Sequence, residues 1–371
     1  MIYADNAATS KLDLDAFEVM KPFLIEEYGN ASQPYSFSRK NKNALKKARE
    51  IVASCINASP DEIYFTSSGT ESDNWAIKGT TLFAIKRKGI ITSEIEHHAI
   101  LNSCHTMEKL NIPVRYLPVD KYGKVSAKAL EQIITDKDKI VSIMMANNEI
   151  GTIQDVRGLA DIAHKNGAIF HTDAVQALGH IEVDVEKLGV DLLSGSAHKF
   201  NGPKGIGFLY IRNRTEIVSY IDGGSQERGY RSGTENVSSI VGMAVALKKN
   251  CKSIEHNMLY LKNIEKTLLN TLSESKIDYI HNGGEERIPG NVNLSIRNGN
   301  GEQLLHRLDL MGISISTGSA CDGENANISH VIKAIGVPDE YAKGTIRISF
   351  GHDNTDEDAK KIAESIINVI K

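Results

Sequence analysis

Cysteine is scarce in this chain: four in 371 residues, and Cys55, Cys104, Cys251 and Cys321 form no CxxC pair. That spacing excludes a disulfide framework and gives a structural zinc site no ligand cluster to build on. No apolar run approaches the ~18 residues that a helix needs to cross a bilayer. The opening residues, Met1-Ile2-Tyr3-Ala4-Asp5-Asn6, lack a basic segment followed by an apolar one, so no secretory signal is expected and a cytoplasmic location is the default. Charge of one sign is missing as well. The formal net charge is −4, which gives neither nucleic acid nor a membrane surface a field to answer. No internal repeat and no low-complexity segment is present.

What is there suits a soluble globular protein. Hydrophobic residues make up 41% and charged ones 24%, enough apolar material for a core. The length fits two to three domains, or one large α/β domain with a smaller companion. Short β-rich runs alternate with amphipathic stretches from about Asp61 to Ile211. Strands are expected at Glu62–Thr66, Gly89–Thr92, Val114–Val119, Ile140–Met145, Ala168–Thr172, Val190–Leu193 and Ile206–Ile211. Helices are expected at Ser72–Lys86, Ser126–Ile134 and Gly158–Asn166. Strands separated by helices imply crossover connections and a mainly parallel α/β sheet flanked by helices. A long helical stretch, Val237–Ser273, should break near Cys251–Ser253. Beyond it the pattern turns α+β: Asn291–Ile296 and Thr345–Phe350 alternate with period two, as half-buried strands do, and a helix over Asp356–Ile370 closes the chain.

Ligands of open α/β sheets sit beyond the carboxyl ends of the strands, so the polar residues there carry the chemistry. Ser67-Ser68-Gly69-Thr70-Glu71-Ser72 leads into a helix; it reads as an anion site or as a plain cap. Glu96-His97-His98 offers an imidazole to stack on a planar cofactor and shuttle protons, or surface histidines near a turn. From an extended segment the two rings cannot both face one site. Asn147-Asn148-Glu149 is a polar group at a buried strand end or turn chemistry. In His171-Thr172-Asp173-Ala174-Val175-Gln176, Asp173 can pair with a protonated pyridine nitrogen or cap a helix. The strongest local signal is Ser196-Ala197-His198-Lys199, between an apolar strand and a glycine-rich turn. A lysine so placed can form a Schiff base with a cofactor aldehyde and then act as a base, with Ser196 and His198 free to donate to a phosphate.

Taken together, SSGTESDN, EHHA, NNEIGTIQ, HTDAVQALG, SGSAHKFNGPKGIGFLY, GGSQERGYRSGTEN and STGSAC, with the opening YADNAAT, resemble the cysteine desulfurases of the NifS/IscS type, over nearly the whole chain and in the expected order. The resemblance implies the aspartate-aminotransferase-like fold type I of pyridoxal-phosphate (PLP) enzymes, with a seven-stranded sheet. It implies a large cofactor-binding domain over residues 11–253. A small domain from residues 1–10 and 254–371 would carry the catalytic cysteine loop. By the same resemblance Lys199 would carry PLP, Asp173 would pair with the pyridine nitrogen, Gln176 would bond the phenolic oxygen and His97 would stack on the ring. Gly69, Thr70, Ser196 and His198 would bind the phosphate, joined by Thr234 of a neighbouring subunit in a homodimer. Asn148 and Arg347 would hold the carboxylate of L-cysteine, a bidentate task that suits an arginine fork. Lys199 would take the α-proton, and Cys321 would accept the sulfur as a persulfide, leave L-alanine and pass the sulfur to an acceptor protein, a cluster scaffold or a thiolation enzyme. No metal is implied.

Two stretches depart from the family pattern. Gly29-Asn30-Ala31-Ser32-Gln33-Pro34-Tyr35-Ser36 stands where the family has Gly-Asn-Pro-Ser-Ser and a histidine. Asp322-Gly323-Glu324-Asn325 follows the cysteine where Ser/Thr-rich residues are usual; a carboxylate beside a thiol raises its pKa. Competing activities on the same resemblance are selenocysteine lyase, another lyase or an aminotransferase; a non-catalytic sulfur-assembly scaffold is the competitor of another class.

Overall fold

The computed structural model describes residues 1–317 and 328–370. Its strands, in chain order, are β1 Ile2–Tyr3, β2 Ile63–Thr66, β3 Gly89–Ser93, β4 Val114–Leu117, β5 Asp138–Ser142, β6 Ile169–Asp173, β7 Leu192–Ser196, β8 Gly207–Ile211, β9 Tyr279–Asn282, β10 Asn291–Ile296, β11 Ile313–Ser314 and β12 Thr345–Ser349. Seven of them form one sheet in the order β2-β8-β7-β6-β5-β3-β4. The ladders β3·β4, β3·β5, β5·β6 and β6·β7 are parallel, and β8 runs antiparallel to both its neighbours. The mainly parallel sheet is therefore present, each strand within a few residues of its expected place.

The sheet is apolar on both faces, and the period of two separates them. Ile91, Val141, Phe170, Leu193 and Phe208 join one buried cluster. Their chain neighbours Ile90, Ile140, Leu192 and Leu209 join another on the opposite face. Helices cover both faces, which is why these strands read as continuous apolar runs. Each such side chain contributes ~1.5–3 kcal/mol on burial. Trp75, fully buried in the Gly69–Thr81 helix, meets Tyr64 edge-on with ring centroids 5.7 Å apart.

The long helical stretch does break: one helix ends at Lys252 and the next begins at Ile254. Beyond it, β9, β10 and β12 make an antiparallel sheet in the order β12-β10-β9. The helices Ile254–Glu274 and Asp356–Ile370 pack Leu261, Ile264, Leu268, Ile362 and Ile366 against Val292, Leu294, Ile346 and Ile348. Here one expectation is corrected. β10 and β12 alternate as half-buried strands should, yet every residue of both is buried. The polar face of Asn293, Ser295, Arg347 and Ser349 turns inward, where Asn293 Nδ2 donates to Glu149 O at 3.2 Å and Ala7 N to Ser349 Oγ at 2.9 Å. No helix is long and apolar enough to cross a membrane among the described residues.

Candidate active site

β2 and the parallel strands β3, β5, β6 and β7 end on the same side of the sheet. Beyond β2 the chain enters the Gly69–Thr81 helix, and Ser68 Oγ accepts from the Glu71 N–H at 3.2 Å. Ser68 is thus a cap, while Gly69 and Thr70 line a cavity; both readings of this motif hold at once. The helix start can lie this close only because glycine leaves room. A Cβ on Gly69 would sit 2.6 Å from Val175 Cγ2, and one on Gly207 would sit 2.5 Å from Gly195 O and 2.8 Å from the Ser68 carbonyl carbon. Ser196, whose Cβ lies 3.3 Å from where a Cβ on Gly69 would sit, and His198 line the same cavity. Burial, then the charges of Lys199 and Lys204, hold the His198 imidazole down at about 4. A neutral ring there donates or accepts, and Thr9 Oγ1 lies 3.2 Å from its Nδ1.

Lys199 ends a 3-10 turn directly after β7, and its Nζ donates to the carbonyls of Ala7 at 2.6 Å and Ala8 at 2.8 Å. Gln176 Nε2 donates to the same Ala7 carbonyl at 3.0 Å. Asp173, at the end of β6, accepts from the Val175 N–H at 2.9 Å. No helix follows it, so the capping alternative falls. Burial pushes the Asp173 carboxyl up to about 6, against the pull of the Val175 amide and the Lys199 charge. A cation seated opposite it would bring that value down again.

The Glu96-His97-His98 segment differs from the expectation of an extended strand exit. A helix begins at His98, and the Ala99 N–H donates to His97 Nδ1 at 3.1 Å. That turn brings both rings to the cavity, their centroids 6.3 Å apart. Burial and the Lys199 charge hold His97 down at about 4, so the ring is neutral at pH 7. With Nδ1 accepting, its proton sits on Nε2. Glu96 is buried beneath; its carboxylate accepts from Ser93 Oγ at 2.6 Å and from the Met144 N–H at 3.0 Å. Burial pushes Glu96 up to about 8. A group whose pKa is raised on folding stabilises fully below its unfolded value, and that stability is lost as pH rises towards and through the folded value. Wild type should therefore lose stability relative to Glu96→Gln between about pH 4.5 and about pH 8, by up to about 1.4 kcal/mol per unit. Denaturant unfolding of both at pH 5, 7 and 9 checks this; curves that stay parallel contradict it.

Arg347 comes from the inward polar face of β12 and is 3% exposed. Its Nη1 donates to the Asn148 carbonyl at 2.9 Å and its Nη2 to Asp5 Oδ1 at 2.7 Å. Its Nε is buried with no acceptor among the described residues. The neighbouring asparagines divide the two readings of their motif. Asn147 Oδ1 takes the amides of Glu149 and Ile150 and makes the turn, while Asn148 lines the cavity.

The cavity measures about 340 Å³ and is lined by Gly69, Thr70, His97, Asn148, Asp173, Gln176, Ser196, His198, Lys199 and Arg347. A helix start with hydroxyls, a buried acid and a lysine amine line it together. That donor set fits a phosphorylated pyridine aldehyde. Thr234 is not brought there within one chain; it lines a separate cavity of about 200 Å³ with Glu227 and Arg231. Cys321, with Asp322–Asn325, lies outside the described residues. The described chain on both sides reaches the site: Ser316 exchanges backbone hydrogen bonds with Arg347 at 2.6 and 3.0 Å, and His330 lines the cavity. Motif reading passed over Ala7, Ala8, Asp73 and His330. Ala7 and Ala8 act through carbonyls, which no side-chain pattern marks. Asp73 sits inside SSGTESDN, where helix polarity hides it; burial and then the Asp173 charge push its carboxyl well up.

The sequence model of the family described as aminotransferase class-V matches residues 2–362. The cysteine desulfurase IscS of Clostridium botulinum strain Hall is 45% identical over 376 aligned positions, covering 100% of this chain and 94% of that protein. A solved NifS-like protein superposes with a TM-score of 0.94 at 37% identity, covering 100% of this chain and 99% of that one. SspA, solved in complex with cysteine, superposes with a TM-score of 0.84 at 34% identity, over 94% of this chain and 99% of that one. On a match of this extent the chain belongs to the class-V aminotransferases, enzymes that work with pyridoxal phosphate, and within them to the cysteine desulfurases.

Proposed function

We propose that this chain removes sulfur from L-cysteine, leaving L-alanine and a persulfide on Cys321, and passes the sulfur to an acceptor protein for iron–sulfur cluster, thio-cofactor or tRNA synthesis. One observation carries the reading: Lys199, Asp173, His97 and Arg347 share one cavity in a chain of this family. Pyridoxal phosphate, when bound, supplies an aldehyde for the substrate amine and a ring that takes up the electron pair left at the α-carbon. Gly69, Thr70, Ser196 and His198 would hold its phosphate, Asp173 would pair with its ring nitrogen, Gln176 would bond its phenolic oxygen and His97 would stack on the ring.

Lys199 takes the α-proton from within a cavity where it already bridges two carbonyls. The Arg347 guanidinium and the Asn148 amide receive the substrate carboxylate. His97, neutral and protonated on Nε2, gives and regains a proton. The Cys321 thiolate attacks the substrate sulfur: an S–S bond forms, the C–S bond breaks, and the β-carbon gains a proton. Cys321 is four peptide steps from Thr317, a reach of at most about 14 Å, from a chain already paired with Arg347 through Ser316.

The active form is a homodimer in which the partner's copy of the Thr234 segment meets this site. The fold divides into residues 11–253 and residues 1–10 with 254–371; two apolar clusters follow that division but for Ile288, and a third joins Ile95 and Ile150 to Val331, Ile332, Ile335 and Ala342 across it. The test is product analysis after incubation with L-cysteine, PLP and a reductant. Alanine and sulfide in equal amounts support the reading; pyruvate with ammonia assigns the chain to lyase chemistry instead.

A further inference from the structure

The N-terminal residues 5–10 pass along the cavity, with Ala7 and Ala8 in its lining, and bond to residues of its wall at nearly every step. Asp5 accepts from Arg347. The Ala7 and Ala8 carbonyls take the Lys199 amine. Thr9 meets His198, and Ser10 Oγ donates to the His198 carbonyl at 2.8 Å. The backbone at the front of this segment is fixed, because Ser349 N donates to Ala4 O at 2.8 Å and Asn6 N to Ser349 O at 3.1 Å. The position of the Asp5 carboxylate is therefore set by β12, the strand that carries Arg347.

A guanidinium has five donors in one rigid plane. Here Asp5 and the Asn148 carbonyl hold one donor on each Nη, so the plane cannot rotate, and Nε remains as a buried donor with no acceptor among the described residues. We propose that Asp5 is a positioning residue for the substrate α-carboxylate: it locks the Arg347 guanidinium in the one orientation in which it lines the cavity and meets the carboxylate, on the same strap that seats Lys199. The proposal rests on the reading of Arg347 as the carboxylate site.

Two effects oppose each other. The Asp5 charge repels an incoming carboxylate, while its hydrogen bond orients the fork. Orientation prevails because the pair is largely buried, with side-chain exposures of 3% and 17%. Removing Asp5 leaves a buried guanidinium without its counter-charge, and it turns to another acceptor in the cavity; Glu149 lies there.

The experiment compares wild type, Asp5→Asn, Asp5→Glu and Arg347→Ala as PLP-loaded enzymes. Asp5→Asn should raise KM for L-cysteine about tenfold or more while kcat falls less than about threefold, the mark of lost binding rather than lost chemistry. Cysteamine, which has no carboxylate, should bind Asp5→Asn as it binds wild type, read from the change in cofactor absorbance. Asp5→Glu should recover part of the loss, and Asp5→Asn should add nothing in an Arg347→Ala background. An unchanged or lowered KM in Asp5→Asn overturns the proposal, as does an equal loss of cysteamine binding. If Arg347→Ala itself leaves KM unchanged, the carboxylate reading of Arg347 fails, and the role of Asp5 fails with it.

Discussion

Lys199→Ala should lose the absorption band of the lysine-bound cofactor and cut alanine formation from L-cysteine by about 1,000-fold or more, since a positioned base alone contributes ~10²–10⁴-fold. No other lysine lines the cavity among the described residues, and nearby Lys204 is exposed. The substitution therefore removes both the covalent anchor and the base, with no amine to take over. The fold should survive. The Ala7 and Ala8 carbonyls each lose a donor, a cost of ~1–3 kcal/mol each at most, and both stay in a segment held by β12. Absorbance spectra and alanine assays on the folded variant check this. A retained band, or activity within tenfold of wild type, removes Lys199 from its role.

Cys321→Ser should retain the cofactor spectrum and bind L-cysteine with near wild-type affinity, because the described groups that line the cavity, Lys199, Asp173, Asn148 and Arg347 among them, are unchanged. Steady-state alanine and protein-bound persulfide should fall below about one-hundredth of wild type, since a hydroxyl is not a thiolate nucleophile at neutral pH. Cys55, Cys104 and Cys251 do not line the cavity and so are not placed to replace it. All three belong to helices, and burial pushes the Cys104 thiol up to about 12. Wild-type alanine output from Cys321→Ser would end the sulfur-transfer assignment while leaving a PLP enzyme in place.

The sheet was legible because its strands are buried on both faces. Val141, Phe170 and Leu193 face one helical layer, and Ile140 and Leu192 the other, so each run is apolar throughout and bounded by polar residues. Strand order left no mark, since period two is blind to which neighbour a strand takes. The inward polar face of β10 and β12 was misread for the same reason: alternation shows that one face is polar, not that water meets it. Arg347 is buried because that face packs on the Asn148–Glu149 turn and residues 5–8. The helix at His98 was missed because His97 caps it with a ring nitrogen in place of the usual Ser, Thr, Asp or Asn. Lys199, Asp173 and Gln176 stood out as polar residues at the ends of apolar strands. Asp5 did not, because its partner is 342 positions away.

The most direct test of the account is a single turnover without reductant, using one equivalent of L-cysteine per PLP-loaded chain. One alanine per chain should appear, and peptide mass analysis should find one added sulfur atom on the fragment containing Cys321. Alanine with no sulfur on that fragment, or pyruvate in place of alanine, would contradict the account.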